Sequence, residues 1–228
     1  MIPRPATAEP GGPPPWTPRR GITLAQVLDA WGSAGRSLAD GPPPPPSPVG
    51  TSPVAVPGVA VAPSAVLVAL FEETGEARVL LTRRSTQLRT HRGQVSFPGG
   101  RIDPGEDALG AAIREAHEEV GLDPASVAPV GYLARAFAFV TGAPITPVVA
   151  TLPGRPVLLP NPTEVDRAFD ASLADLAAGF TEEWWSEPDL PRFAMYFFAV
   201  EGETVWGATA RMLLDLLTTV LVDYRPDR

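Results

Sequence analysis

Apolar residues along the chain fall into two kinds of run. From Ser64 onward, short stretches rich in aliphatic and β-branched residues predict strands. "SAVLVALF" (64–71) and "ARVLLT" (77–82) flank "EETGE", which carries a turn signal, so the two read as a strand pair. "GQVSFPGG" (93–100) reads as a short strand running into a glycine turn. "VAPVGYLARAFAFV" (127–140), "ITPVVATL" (145–152) and "RFAMYFFAV" (192–200) read as further strands. Other stretches repeat with the helical period. Over 106–120, Leu109, Ala112, Ile113, Ala116 and Val120 gather on one side of a helical wheel, the side that should face the core. "DASLADLAAG" (170–179) predicts a helix ending at Gly179, and "GATARMLLDLLTTVLV" (207–222) a long C-terminal helix. Helices interspersed with strands predict an α/β fold, a mixed sheet with helices packed on it.

The first 60 residues are different. Sixteen of the 29 prolines lie at or before Pro63. Residues 1–20 read as a disordered tail. Leu24, Val27, Leu28 and Trp31 then predict a short helix near 23–31, opened by a Thr23–Gln26 capping box. "GPPPPPSPVG" (41–50) reads as a polyproline II linker, in preference to a ligand for a proline-recognising domain. We therefore expect a flexible arm over 1–60, a folded domain over 61–223 and a short tail over 224–228. The arm should be dispensable for activity, since prolines of this kind do not build a core.

Charge and composition narrow the chemistry. The net charge of −8 argues against a nucleic-acid binder and against an anionic membrane surface. Pro53, Pro57 and Pro63 break the uncharged stretch from Gly41 to Leu70, leaving no run long enough to span a bilayer. The first residues lack an apolar leader, so a cytoplasmic protein is expected. With no cysteine, disulfides and thiolate metal sites are excluded.

"IREAHEEVGL" (113–122) then poses a problem: Glu115, Glu118 and Glu119 share one strip of the predicted helix, where like charges repel. Such clusters are usually solvated faces, but the surroundings are specific. From Gly100 the chain reads five residues, Glu106, seven residues, then Arg114-Glu115-Ala116-x-Glu118-Glu119-x-Gly121-Leu122. This is G-x5-E-x7-R-E-U-x-E-E-x-G-U, with U aliphatic. At roughly 7% per residue type, its seven exact letters recur by chance on the order of once in 10⁸ starts. The sequence resembles the Nudix hydrolases. The resemblance implies an α/β/α sandwich and cleavage of a diphosphate linked to another moiety. Mg²⁺ (or Mn²⁺) would be held by Glu115, Glu118 and Glu119, carboxylates spaced to converge above the helix. Glu106 suits the helix start. Arg114 ties Glu106 or Glu115 in place, and Gly99 and Gly100 let the chain turn sharply into the helix.

Upstream, "LLTRRSTQLRTHRGQVSFPGG" (80–100) resembles the coenzyme A pyrophosphatase branch of that family, L-L-T-x-R-[SA]-x3-R-x3-G-x3-F-P-G-G. The likeness continues in "TPVVA", "NPTEV" and "VWGATARML", covering about residues 62–222. Arg84, Arg89 and Arg92 are candidate phosphate contacts, since guanidinium binds phosphate in a bidentate fashion. Glu164 of "NPTEV" is either an accessory base or substrate contact, or a turn cap. His91 reads as structural or exposed, and His117 receives no role. The leading expectation is hydrolysis of coenzyme A or acyl-CoA to 3′,5′-ADP and (acyl-)4′-phosphopantetheine. The alternatives are another nucleoside diphosphate derivative, such as ADP-ribose or a nucleotide sugar, or a silent ligand-binding domain. Monomer and homodimer are both open.

Overall fold

The computed structural model describes residues 4–41, 62–88, 90–138, 142–187 and 190–223. Arg89, nearly all of the proline run at 41–50 and the 224–228 tail lie outside the described residues. In chain order the elements are β1 (Glu9–Pro10), α1 (Leu24–Ser33), β2 (Ser64–Glu73), β3 (Glu76–Arg84), β4 (Val95–Ser96), β5 (Gly99–Arg101) and α2 (Ala108–Val120). Then follow β6 (Ala128–Tyr132), β7 (Ala136–Phe137), β8 (Pro144–Thr151), β9 (Val165–Ser172), α3 (Leu173–Ala178), β10 (Phe180–Glu187), β11 (Leu190–Val200), β12 (Glu203–Trp206) and α4 (Gly207–Thr218).

β2 and β8 run parallel at the centre of a mixed sheet, paired from Ser64↔Ile145 to Leu70↔Thr151. β3 and β5 pair antiparallel with β2, β9 with β3, and β6 and β7 with β8. Because side chains alternate along a strand, β2 serves two cores. Ala65, Leu67, Ala69 and Phe71 pack under α2, while Val66, Val68 and Leu70 face the opposite layer. That second layer holds α1, α3, α4 and a smaller sheet, β1-β10-β11-β12. The result is an α/β/α arrangement around a mixed sheet.

Several expected elements shift. "DASLADLAAG" is not all helix: Asp170, Ala171 and Ser172 finish β9, and the Ser172 hydroxyl caps α3 by accepting from Asp175 N–H at 3.0 Å. Ser172 thus ends one element and starts the next. Gly99 and Gly100 are strand residues of β5 rather than a turn. The α2 helix begins after Asp107, whose carboxylate caps Gly110 N–H at 2.7 Å. It ends at Gly121, φ +68°, a left-handed position that favours glycine. Its buried face is Ala111, Ala112, Ala116, Glu119 and Val120, with Leu109 and Ile113 only half-buried. The helix is rotated from the expected face, so a carboxylate sits in the middle of the apolar stripe.

The N-terminal segment also departs from expectation. Residues 4–20 are no free tail. Glu9 and Pro10 pair with Trp184 and Glu183, and Gly11 N–H bonds Glu182 O at 2.8 Å. Trp16 is 5% exposed, lies edge-on to Phe180 at 5.2 Å and donates its indole N–H to Ala177 O. The α1 helix forms as the capping box predicts. It buries Val27 and Trp31, and Arg36 beyond it binds Asp215 through two contacts of 2.7 and 2.8 Å. At Gly131 a Cβ would stand 2.7 Å from both Arg36 O and Trp31 Nε1, so the arm and β6 fit closely. Proline-rich sequence does not exclude packing when tryptophans punctuate it. Among the described residues no helix is long and apolar enough to cross a membrane.

Candidate active site

α2 crosses the α2-facing side of the sheet so that its polar edge meets β5, the end of β3 and the loop before β9. Arg114 anchors the entrance. Its guanidinium donates from Nε and Nη2 to Glu106 at 3.0 Å each and from Nη1 to Glu115 at 2.9 Å. It also reaches Glu118 at 3.2 Å and Arg101 O at 3.0 Å. Arg114 thus ties both Glu106 and Glu115 in place, and the helix starts two residues later than expected, with Asp107 as its cap. Hydrogen bonds from Arg114 and from Asp103 N–H hold the Glu106 carboxyl below the usual carboxylate range.

Glu119 is the unusual residue. It is 2% exposed. Its carboxylate accepts from Gly99 N–H at 3.1 Å and from Arg84 at 3.3 Å. Burial nevertheless pushes its pKa up to about 7, against those two partners and with help from the charges of Glu115 and Glu164. Burial also raises Glu115, opposed by Arg114 and reinforced by Glu118 and Glu164. The charge of Glu164 bears on both Glu115 and Glu119.

The two glycines make room for this. A Cβ on Gly100 would lie 2.5 Å from the Glu115 carboxylate, and one on Gly99 2.3 Å from Ala65 O. Their function is close approach, of β5 to the helix carboxylate and of β5 to β2.

The expected convergence of three glutamates on one point is absent: among the described residues no three His, Asp or Glu side chains are grouped so as to hold a metal ion. The carboxylates are drawn apart by arginines. Arg114 takes Glu115 and Glu118, and Glu118 is 52% exposed, whereas Arg84 and the Gly99 N–H take Glu119. The chemistry of the donor set still fits a hard divalent cation, because every donor is a carboxylate oxygen. Glu119 carries a charge that burial disfavours, and a bound cation would stabilise it.

Sequence reasoning missed the support of Glu164. Asn161 N–H bonds Glu119 O at 2.8 Å, and Asn161 Oδ1 accepts from Thr163 N–H and its hydroxyl. Glu164 O accepts from Ser85 N–H at 2.7 Å, tying the loop to the end of β3. The Asn-Pro-Thr string is a turn signal that fits this role. His91 is exposed and bonds Gln94 at 2.9 Å, and Arg92 bonds Leu88 O. His117 points away from the strip and bonds Leu122 O at 3.0 Å, closing the helix end.

Comparison with known proteins agrees with this architecture. The NUDIX domain profile matches residues 61–193. Nudix hydrolase 22, chloroplastic, of Arabidopsis thaliana is 39% identical over 166 residues, covering 69% of this chain and 55% of that protein. Nudix hydrolase 3 of Caenorhabditis elegans is 35% identical over 180 residues, 71% of this chain and 75% of the relative. The Escherichia coli K12 protein called Uncharacterized Nudix hydrolase NudL is 37% identical over 142 residues, 60% of this chain and 72% of its own. The match spans little more than half the length of two Arabidopsis relatives, 55% and 56%. A MutT/nudix family protein from Enterococcus faecalis shares the fold, with a TM-score of 0.50 at 14% identity, over 71% of this chain and 62% of that one. This chain belongs to the NUDIX domain family.

Proposed function

We propose that the protein hydrolyses the diphosphate bond of coenzyme A or an acyl-CoA, releasing 3′,5′-ADP and 4′-phosphopantetheine or its acyl form. The observation that carries the reading is the buried Glu119 carboxylate held by Gly99 N–H and Arg84, with the Glu115 carboxylate over Gly100 beside it. The upstream signature from Leu80 to Gly100 supports coenzyme A as the substrate. Arg89, outside the described residues, is the signature arginine we assign to the 3′-phosphate.

In this mechanism Glu115, Glu118 and Glu119 would hold Mg²⁺ or Mn²⁺, which when bound neutralises the diphosphate and polarises phosphorus. Arg84 touches Glu119 and would share a phosphate oxygen of the bound substrate. Arg114 keeps Glu115 against Gly100. Glu164 has no arginine partner among the described residues, so its lone pairs are free to accept a proton. It takes that proton from the attacking water as the new P–O bond forms, and the bridging P–O bond breaks with its electrons leaving on the departing phosphate.

The test is a panel of coenzyme A, acetyl-CoA, ADP-ribose and a nucleotide sugar with Mg²⁺ or Mn²⁺, products separated by chromatography. Coenzyme A compounds should be turned over with the highest kcat/KM. Preference for ADP-ribose would replace the substrate assignment. No product from any compound with either ion would reject hydrolysis and favour a ligand-binding domain.

A further inference from the structure

We propose that Arg135 is a substrate-binding residue that takes a phosphate oxygen of the diphosphate, opposite Arg84; the inference rests on the hydrolase reading above. The first observation is an imbalance. Among the described arginines, Arg19, Arg20, Arg101 and Arg135 have side chains with no hydrogen bond, ion pair or ring contact. The first three are exposed on the surface, where water serves them. Arg135 is half-buried, and its Nε is shielded from solvent with no hydrogen-bond partner. In a chain with 26 carboxylates and 18 basic residues, a sheltered arginine without an acid beside it is a choice against stability.

The second observation is where the register puts it. Gly100 pairs with Ala65, and Ala65 with Thr146. Leu133 N–H bonds Pro147 O and Ala136 pairs with Ile145, so the two residues between them, Ala134 and Arg135, both stand opposite Thr146 in a bulge. Gly100, Ala65, Thr146 and Arg135 thus form one row across the sheet. Leu133 and Ala136, which flank the bulge, point into the core away from α2, and Thr146 between their partners lies on the α2 side, the side left to the bulge residues. At the other end of that row the Glu115 carboxylate overlies Gly100. Three inter-strand steps of about 4.8 Å separate the ends, about 14 Å in all. An arginine side chain extending from one end and a diphosphate seated on the glutamates at the other divide that span between them. The planar fork suits a phosphate with two free oxygens.

The experiment uses the full chain with Arg135→Leu and Arg135→Lys. Three quantities are read: the melting temperature, the affinity for ADP by calorimetry in the presence of Mg²⁺, and kcat and KM on the best substrate of the panel. Arg135→Leu should melt at or above the wild-type temperature, bind ADP at least tenfold more weakly, and lose at least tenfold in kcat/KM, mainly through KM. Arg135→Lys, which keeps the charge and loses the fork, should recover part of both losses. ADP affinity and KM within twofold of wild type would overturn the proposal. So would a fall in melting temperature that Arg135→Lys restores together with activity, since that pattern marks a structural arginine. If the wild type hydrolyses nothing in the panel, the hydrolase reading fails by itself, and the ADP titration still judges Arg135.

Discussion

The N-terminal segment 4–41 and the helix α2 both pack against the central sheet, yet they treat sheltered charges in opposite ways. In the segment, Arg36 meets Asp215 in a two-point contact and the Trp16 indole reaches a carbonyl. In α2, Glu119 is buried with a neighbouring Glu115, one backbone N–H and one arginine at 3.3 Å, and its proton affinity rises accordingly. The first region holds the fold together. The second holds charge against the fold's own preference, which is how a site prepared for a cation and an anionic substrate is expected to look. The contrast teaches that sequence motifs and stabilising contacts need not coincide: the motif-bearing helix is the strained partner, and the motif-free segment stabilises.

The strongest way to break the comparison is to neutralise the carboxylates. Glu119→Gln, and likewise Glu115→Gln, should lower kcat by about 10³-fold, about 4 kcal/mol of barrier, because an amide is a poor ligand for a hard divalent ion. Circular dichroism should show an intact fold, and Glu119→Gln should melt no lower than wild type at pH 7.5. Near-wild-type turnover in both variants would remove the metal strip from the mechanism.

Next in size is removal of the stabilising partner. A chain beginning at Val61 loses Trp16, Ile22, Val27 and Trp31, each worth about 1.5–3 kcal/mol of burial. After the entropy saved by leaving the segment out, a net loss of about 4 kcal/mol should lower the melting temperature by roughly 10 °C or more. The expectation that the segment is dispensable for activity is a separate matter, read from the turnover of the same shortened chain. A shortened chain as stable and as active as the full one would show that its contacts contribute nothing.

What the sequence showed and what it hid follow the same divide. The box, the Gly99-Gly100 pair and the end of α2 at Gly121 were legible because motif spacing and a helix-ending glycine are local. The role of the glycines was not, since the collision of a Cβ with Glu115 arises only when β5 and α2 are brought together. The buried face of α2 was misplaced for a similar reason. A wheel drawn from hydropathy cannot put a carboxylate at its centre, and only the Gly99 N–H and Arg84, supplied by two other strands, make that position tolerable. Trp16 was hidden by its proline-rich neighbours, and its partner Phe180 lies more than 160 positions away along the chain.

A pH titration sharpens the comparison at an intermediate scale. The Glu119 carboxyl has an ordinary value of 4.5 and sits at about 7 when folded. Between those values the folded chain binds more protons than the unfolded one, so stability must fall as pH rises through that window. The shift corresponds to about 3 kcal/mol in all. Glu115, also raised, adds in the same direction, whereas Glu106, lowered, acts below its ordinary value and in the opposite sense. Urea midpoints measured without divalent ions should decline from pH 4.5 to pH 7, and Glu119→Gln should flatten the slope. Added Mg²⁺ at pH 7.5 should restore stability by binding the folded state alone. A flat profile in the wild type would show that Glu119 stays ionised without a cation.

The smallest effect tests whether the stabilising segment is separable from the chemistry. Thr23 accepts from Gln26 N–H at 3.2 Å while the Gln26 side chain accepts from Thr23 N–H at 3.2 Å, so the pair satisfies two donors at the start of α1. Thr23→Ala leaves one of them without its partner at a half-buried position, at a cost of about 1 kcal/mol. α1 packs against the second core through Val27 and Trp31, on the face of the sheet away from α2. No hydrogen bond links Thr23 or Gln26 to β5, Arg84 or the glutamates. The melting temperature should therefore drop by about 2–4 °C while kcat and KM stay within error of wild type at a temperature where both proteins are folded. A change in KM without a change in melting temperature would tie the segment to the site, and the division between a stabilising region and a charged, reactive one would fail at its mildest point.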